Sequence, residues 1–470
     1  MLEKIDFKEQ SQKVIDWIDS FYKDLKSLPV KSQSKPKDIY KLIPAQLPIE
    51  GESLDAILKD TTDIILPGIT HWQHPNFHAY FPANSSIESL FAEMITTALG
   101  SQCMIWETSP AAAELEERMM EWMRDAMGLP STWEGVIQDT ASTATLCAIL
   151  SARERTTNFT SNEEGVPPNL RVYCSTQTHS SIEKGVAIAG IGRKNLVKID
   201  VDDQQRMSPT LLKEQIEKDI HNGLRPSCVI VALGTTSTVA IDELTEISSL
   251  CQEHNIWLHI DAAYAGTALF LPEYRWMMDG GEKADSFVFN PHKWLFTNFD
   301  CTAYYVKDAD HLIKTFEILP EYLKTKTRGH VNDYRDWGVP LGRRFRALKL
   351  WFVMRSYGLS GIQQKLRKHI ELNNYFSVKI KEHPKLELIQ EPFLNFTCLR
   401  YVGDNKHNPK ELNYLNEQII EAINKSGKAF LSHTVVNDIY MIRVVIGQTY
   451  VEQEDVDDLY DTLIEHIPKG

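Results

Sequence analysis

Short apolar runs and amphipathic runs alternate along most of the chain, and their periods predict its elements. Phe7 to Leu25 places Ile15, Ile18, Phe21, Tyr22 and Leu25 on one helical face, so this segment needs a surface to cover it. The polar stretch Lys31 to Lys37, with Pro36, reads as a loop, and a second amphipathic helix is expected around Leu54 to Leu66. From Leu90 to Met127 the pattern is helical. Beyond it, Arg171 to Ser175, Cys228 to Leu233, Ile256 to Ile260, Ser286 to Phe289 and Thr302 to Val306 read as strands, and Thr210 to Asn222 and Glu243 to Asn255 as helices. That alternation predicts an α/β fold with a mostly parallel sheet and helices on both faces. After a long apolar helix, Arg344 to Tyr357, the character changes. Leu386 to Ile389, Leu394 to Arg400 and Tyr440 to Ile446 then read as strands between the helices Leu412 to Ser426 and Glu454 to His466, which predicts a smaller α+β domain.

Composition narrows the classes. With 43% apolar residues over 470 positions, the chain is globular rather than disordered or repetitive. Fifty Lys and Arg against sixty-four Asp and Glu leave a net charge of −14, the wrong sign for neutralising a phosphate backbone, so no nucleic-acid partner is expected. The apolar runs are far shorter than the ~20 residues that span a bilayer, and Glu3, Asp6 and Glu9 sit near the start; neither a membrane partner nor an export signal is expected. Seven cysteines form no CxxC pair and lie mostly in apolar segments, as reduced cytoplasmic thiols do.

The residues that carry chemistry stand where strands are expected to end. Ser286-Phe-Val-Phe-Asn290-Pro-His292-Lys293 runs from a strand into a lysine, at the edge of an open α/β sheet where ligands bind. An amine there is partly desolvated, which lowers its pKa and readies it for a carbonyl group. Trp257-Leu-His-Ile-Asp261 ends a second strand on a carboxylate, followed by Ala262, Ala263 and Gly266, small enough for a flat ring to lie close. A pyridine cofactor needs that pair, an amine for its aldehyde and a carboxylate for its ring nitrogen. Gln138-Asp-Thr140-Ala141-Ser142 leads into the helix Ala144 to Arg153, and such a helix start suits a phosphate. Val172 to Thr178 leads to His179 in a hydroxyl-rich turn, and Cys228 to Leu233 leads to Gly234-Thr-Thr236-Ser237. Taken singly, each has an ordinary structural reading: a solvated lysine, an N-capping Asp or Thr, turn chemistry.

Together, Asn290-Pro-His-Lys293-Trp, Asp261-Ala-Ala-Tyr-Ala-Gly, Thr178-His179-Ser-Ser, Gly234-Thr-Thr-Ser and Pro340-Leu-Gly-Arg-Arg-Phe-Arg resemble the aromatic L-amino-acid decarboxylases of the group II pyridoxal-phosphate decarboxylases. The likeness covers nearly the whole chain from Pro67-Gly-Ile-Thr-His-Trp72, and Gln138-Asp-Thr-Ala-Ser-Thr looks closer to bacterial members. The resemblance implies an aspartate-aminotransferase-like fold of type I, pyridoxal 5'-phosphate as cofactor, and a homodimer with shared active sites. It implies an N-terminal helical arm over the partner at 1–85, a large cofactor-binding domain at 86–350 and a small C-terminal domain at 351–470. Lys293 then holds the cofactor's aldehyde, Asp261 its ring nitrogen, His179 stacks on one face of the ring and Ala263 packs on the other. Ala141, Ser142 and Asn290 match phosphate contacts, Thr236 lies beside the cofactor and the histidine, and His292 precedes the lysine. Tyr322, in Leu319-Pro-Glu-Tyr-Leu-Lys, matches a loop tyrosine that returns a proton to the substrate carbon. No metal site is expected.

The same resemblance bears on the substrate. Trp72, Tyr80, Phe81 and Pro82 match a pocket segment suited to a planar side chain. Gly342 matches a position where histidine-specific and some phenol-specific relatives carry serine, which points to a larger ring. Gln102 and Met104 stand for a more apolar pair, and Ala83 for a threonine of the catechol-preferring animal enzymes. An aromatic amino acid is therefore expected, giving an arylalkylamine and CO2. The alternatives are a non-aromatic amino acid, an aldehyde-forming relative (these carry Phe for Tyr322 or lack the histidine), or a non-catalytic scaffold that would have lost the lysine.

Overall fold

The computed structural model describes residues 6–318, 331–403 and 408–468. They form two compact units, Ala83–Lys368 and Met1–Pro82 together with His369–Gly470. The larger unit holds a seven-stranded sheet of β1 (Glu134–Gln138), β2 (Leu170–Ser175), β3 (Leu196–Ile199), β4 (Arg225–Ala232), β5 (Trp257–Asp261), β6 (Ser286–Phe289) and β7 (Thr302–Val306). Its order is β1-β7-β6-β5-β4-β2-β3. Only β7 runs against its neighbours, β1 and β6; the remaining pairs are parallel. This is the mostly parallel α/β sheet expected from the strand and helix alternation.

The central strands are mostly apolar and buried because both faces are covered. All four residues of β6 are buried, as are the last six of β4. The helix Ala141–Thr156 lies against β1, β4, β5, β6 and β7, and its buried Ala144, Cys147, Ala148, Ser151 and Ala152 are small enough to let it approach. On Gly266 a Cβ would sit 2.6 Å from the Cβ of Phe289, so the turn after β5 can rest on β6 only with glycine there.

The helical stretch expected from Leu90 to Met127 is two helices, Ile87–Leu99 and Pro110–Met127. Gly100, at φ 59°, closes the first, and Pro110 opens the second. The helix expected to end at Tyr357 resumes after Gly358, whose φ of 61° breaks it, and runs to Glu382. Around Leu54 to Leu66, Leu54–Asp60 is α-helix and the turns that follow are wider and then tighter, with Pro67 entering the last.

In the smaller unit, β8 (Leu386–Leu388), β9 (Phe396–Tyr401), β10 (Ser432–Val436) and β11 (Ile439–Val445) form an antiparallel sheet in the order β10-β11-β9-β8. The helices Pro409–Ser426 and Gln453–His466 bury Ile419, Ile423, Val456 and Leu459 in its core. Asn408 and Glu411 close a reciprocal cap at the first of them. N-terminal residues belong to this unit: Val30 donates to the Gly427 carbonyl at 2.8 Å, and His78 to that of Phe430 at 2.9 Å. The helix Phe7–Asp24 has no buried residue.

Four buried histidines are held neutral. Burial lowers His74 and His78 to about 4, and His259 and His292 to about 3, from the ordinary 6.5. Each takes up a proton more readily in the unfolded chain, so its contribution is complete above pH 6.5 and is lost as the pH falls below it. The slope is about 1.4 kcal/mol per pH unit for each histidine. The urea midpoint is expected to fall steadily between about pH 6.5 and 4; a midpoint constant over that range would show that these rings are charged in the folded state.

Candidate active site

Because β1, β2, β4, β5 and β6 all run one way, their carboxyl ends share one edge of the sheet. The segments following those ends begin at Asp139, Thr176, Leu233, Ala262 and Asn290. The motifs singled out from the sequence within this unit thus meet along one crevice, the place where open α/β sheets bind ligands.

Asp261 is the last residue of β5, paired with Ala232 on one side and Val288 on the other. Its Oδ1 accepts from the Ala263 N–H at 3.0 Å, and the Ala263 carbonyl accepts from the Asn290 N–H at 3.0 Å, which latches the two strand ends together. Lys293 follows in the single turn Pro291–Trp294, its N–H bonded to the Asn290 carbonyl at 2.9 Å. Both side chains are half-buried. Burial raises the Asp261 carboxyl above its ordinary range, opposed by the charge of Lys293, the Ala263 N–H and His179. Burial likewise lowers Lys293, opposed by Asp261. His179, in the turn after β2, lies in the field of both and is lowered chiefly by burial. The structure therefore brings Lys293, Asp261 and His179 within electrostatic reach of one another.

His292 precedes Lys293 and lies in the field of its charge. It is buried, its Nδ1 accepts from the Cys301 N–H at 2.9 Å, and its ring packs 4.7 Å from that of Phe299. Its carbonyl accepts from the Asn84 N–H at 2.8 Å.

At the start of the helix Ala141–Thr156, Thr140 caps the Thr143 N–H. The N–H groups of Ala141 and Ser142 make no hydrogen bond among the described residues, as expected of a first helical turn. Asn290 is buried, and its Oδ1 lies 2.6 Å from the Thr302 hydroxyl, which also reaches the Asp139 carbonyl at 3.1 Å. Thr302 thus ties the helix start to the lysine's strand, a role that nothing in the local sequence signals. Thr236 stands in the turn after β4, which closes through bonds of Gly234 and Thr235 to the Ala240 carbonyl at 3.0 Å. Gly234 has φ 91°, and a Cβ there would meet that of Ala265 at 2.7 Å.

A second group in the same unit gathers Gln102, Met104 and Gly342. Gln102 Oε1 accepts from the Arg343 N–H at 2.8 Å, the Met104 carbonyl from the Arg335 N–H at 2.9 Å, and a Cβ on Gly342 would stand 3.2 Å from Gln102 Nε2. The smaller unit carries the other expected pocket residues. There Trp72 and Tyr80 stack at 6.0 Å and are exposed, while Phe81 and Pro82 are buried and Arg443 lies 5.4 Å over Phe81. Tyr80 has φ 56°, an uncommon backbone for an aromatic residue. Tyr322 lies outside the described residues. Among the described residues no cluster of His, Cys, Asp or Glu is placed to hold a metal ion.

The donor set suits pyridoxal phosphate. Two free N–H groups and the Ser142 hydroxyl face an anion's needs, Asp261 keeps one oxygen without a hydrogen bond among the described residues, and Lys293 supplies the amine. Comparison with known proteins agrees. Residues 36–402 match the pyridoxal-dependent decarboxylase conserved domain. A tyrosine decarboxylase of Papaver somniferum is 37% identical over 99% of this chain and 95% of its own. A phenylacetaldehyde synthase of Arabidopsis thaliana is 38% identical over 97% of this chain and 95% of its own. The crystal structure of Oryza sativa TDC with PLP and tryptamine superposes with a TM-score of 0.95 at 32% identity, covering 98% of this chain and 97% of that one.

Thr302→Val keeps the shape of the side chain and removes the proton shared between Asp139 and Asn290. Leaving these acceptors unpaired is expected to cost about 1–3 kcal/mol of stability and to weaken pyridoxal-phosphate affinity, read from the thermal midpoint and from absorbance titration. Unchanged values in both would remove Thr302 from the site.

Proposed function

The chain belongs to the pyridoxal-dependent decarboxylase family and is a pyridoxal-phosphate-dependent carboxy-lyase; on that premise we propose that it decarboxylates an aromatic L-amino acid to the arylalkylamine, as a cytoplasmic homodimer. The observation that carries this reading is the meeting of Lys293, Asp261 and His179 at one sheet edge. When bound, the cofactor supplies an electron sink for the pair left behind as CO2 departs. Asp261 holds the positive charge of the ring nitrogen through its unbonded oxygen. Lys293, lowered by burial and held up by the Asp261 charge, offers an amine that gives up its proton more readily than an exposed lysine. Ala141, Ser142 and Asn290 would hold the phosphate, His179 and Ala263 would lie against the ring, and Thr236 and His292 would stand beside it. Tyr322 returns the proton to the substrate carbon.

The aromatic substrate is supported by the exposed Trp72 and Tyr80 rings, stacked 20° from parallel, and by the resemblance that Gly342 carries. Phe81 and Pro82 follow Tyr80 in the smaller unit, and Met104 stands two residues after Gln102 in the larger one. Relatives named for tyrosine, tryptophan and phenylacetaldehyde chemistry all match over nearly the full chain. With both His179 and Tyr322 present, amine rather than aldehyde is the expected product.

Four further observations bear on assembly and compartment. Helix Ile87–Leu99 leaves Ile87, Phe91, Met94, Ile95 and Leu99 exposed along one stripe, a surface of the kind that a second copy covers. Phe7, Tyr40, Leu47 and Ile49 are exposed in the segment proposed as the arm. All seven cysteines are buried thiols, as in a reducing compartment. No helix among the described residues is long and apolar enough to cross a membrane.

CO2, amine and ammonia measured over tyrosine, dopa, tryptophan, 5-hydroxytryptophan and phenylalanine are expected to show CO2 and amine in equal amounts from at least one of them. Lys293→Ala abolishes the turnover, Asp261→Asn slows it by about 10²-fold or more, and Tyr322→Phe shifts product towards aldehyde. Turnover confined to acidic or diamino substrates would overturn the aromatic reading. Sedimentation without reductant is expected to give a species of twice the 53.8 kDa chain mass, and a monomer at micromolar concentration would sink the shared-site assembly.

A further inference from the structure

The turn after β2 holds a residue to which the reading above gives no task. Ser181 opens the helix Ser181–Ile188. Two of its groups meet one ring atom: its N–H donates to His179 Nδ1 at 3.1 Å, and its hydroxyl lies 2.8 Å from the same nitrogen. A main-chain N–H can only donate, so Nδ1 must present its lone pair. The neutral ring then carries its proton on Nε2. A proton on Nδ1 would point at a donor, so these contacts also oppose charging of the ring.

The charged groups facing His179 are Asp261 at the end of β5 and Lys293 beyond β6, and they act in opposite senses. A charged imidazole would stand as a second cation beside Lys293 and beside a pyridine ring that must itself stay protonated. A neutral ring avoids that repulsion and keeps one donor, Nε2–H, which has no partner among the described residues.

We propose that Ser181 is a positioning residue for the decarboxylation, holding His179 as the neutral Nε2–H tautomer through its N–H and hydroxyl. This rests on the reading of His179 as the group that lies over the cofactor ring. The competing role is purely local: His179 would cap the helix through the Ser181 N–H, and its proton would not matter to turnover.

The two are separated on the holoenzyme with its best aromatic substrate. Ser181→Ala keeps the N–H and loses the hydroxyl. The acid limb of kcat/KM is expected to move up by about half to one pH unit, with kcat near pH 6.5 lowered about 3–10-fold and kcat near pH 8.5 within about twofold of wild type. Ser181→Thr restores the profile. In ¹⁵N-histidine-labelled wild type, His179 Nδ1 is expected to resonate as an unprotonated, pyridine-type nitrogen. A Ser181→Ala profile that superposes on wild type, with only the thermal midpoint lowered, overturns the proposal in favour of a cap. So does a protonated Nδ1 in the wild type, a readout that stands even where no aromatic amino acid proves to be a substrate.

Discussion

Burial and mutual attraction pull Asp261 and Lys293 in opposite directions, and the site exists in the balance between them. Burial alone favours the neutral acid and the neutral amine; the partner's charge works against that on each side. The two residues are far apart in the chain, but β5 and β6 are neighbours, with Asp261 opposite Val288. Everything that fixes those two strand ends therefore fixes the balance. The Ala263–Asn290 bond, the rest of the Gly266 turn on Phe289 and the Thr302 bridge to the helix start all act on that one distance.

The core strands were legible from sequence for a physical reason. A strand covered on both faces is mostly apolar rather than alternating, and β4, β5 and β6 read that way along Cys228–Ala232, Trp257–Ile260 and Phe287–Phe289, with His259 the buried exception. Two edge strands, β3 and β10, did not announce themselves. β3, an edge strand, has a mostly half-exposed pattern, and β10 alternates around exposed positions. Helix limits were misread where a single residue decides them, as at Gly100, Pro110 and Gly358.

Within the site, legibility followed position. Lys293, Asp261 and His179 end strands that converge, so topology alone lends them meaning; their individual roles came from the resemblance of whole motifs. Thr302 and Ser181 were silent because a hydroxyl at a strand start or a helix start is ordinary. What distinguishes Thr302 is a carbonyl 163 residues away in the chain. The Gln102 contact to the Arg343 N–H spans 241 residues and was equally hidden.

The histidines around the crevice share one device. His179 Nδ1 faces the Ser181 N–H, and His292 Nδ1 faces the Cys301 N–H. Beneath the sheet edge, His259 is held between the hydroxyls of Ser286 and Thr145. A main-chain donor cannot be rotated away as a side chain can, so in the first two the tautomer is set by the backbone itself. All three are lowered by burial. Neutral rings supply shape and a directed N–H without adding charge. In a half-buried crevice where each charge acts strongly on its neighbours, that leaves the lysine and the carboxylate to set the local field between them.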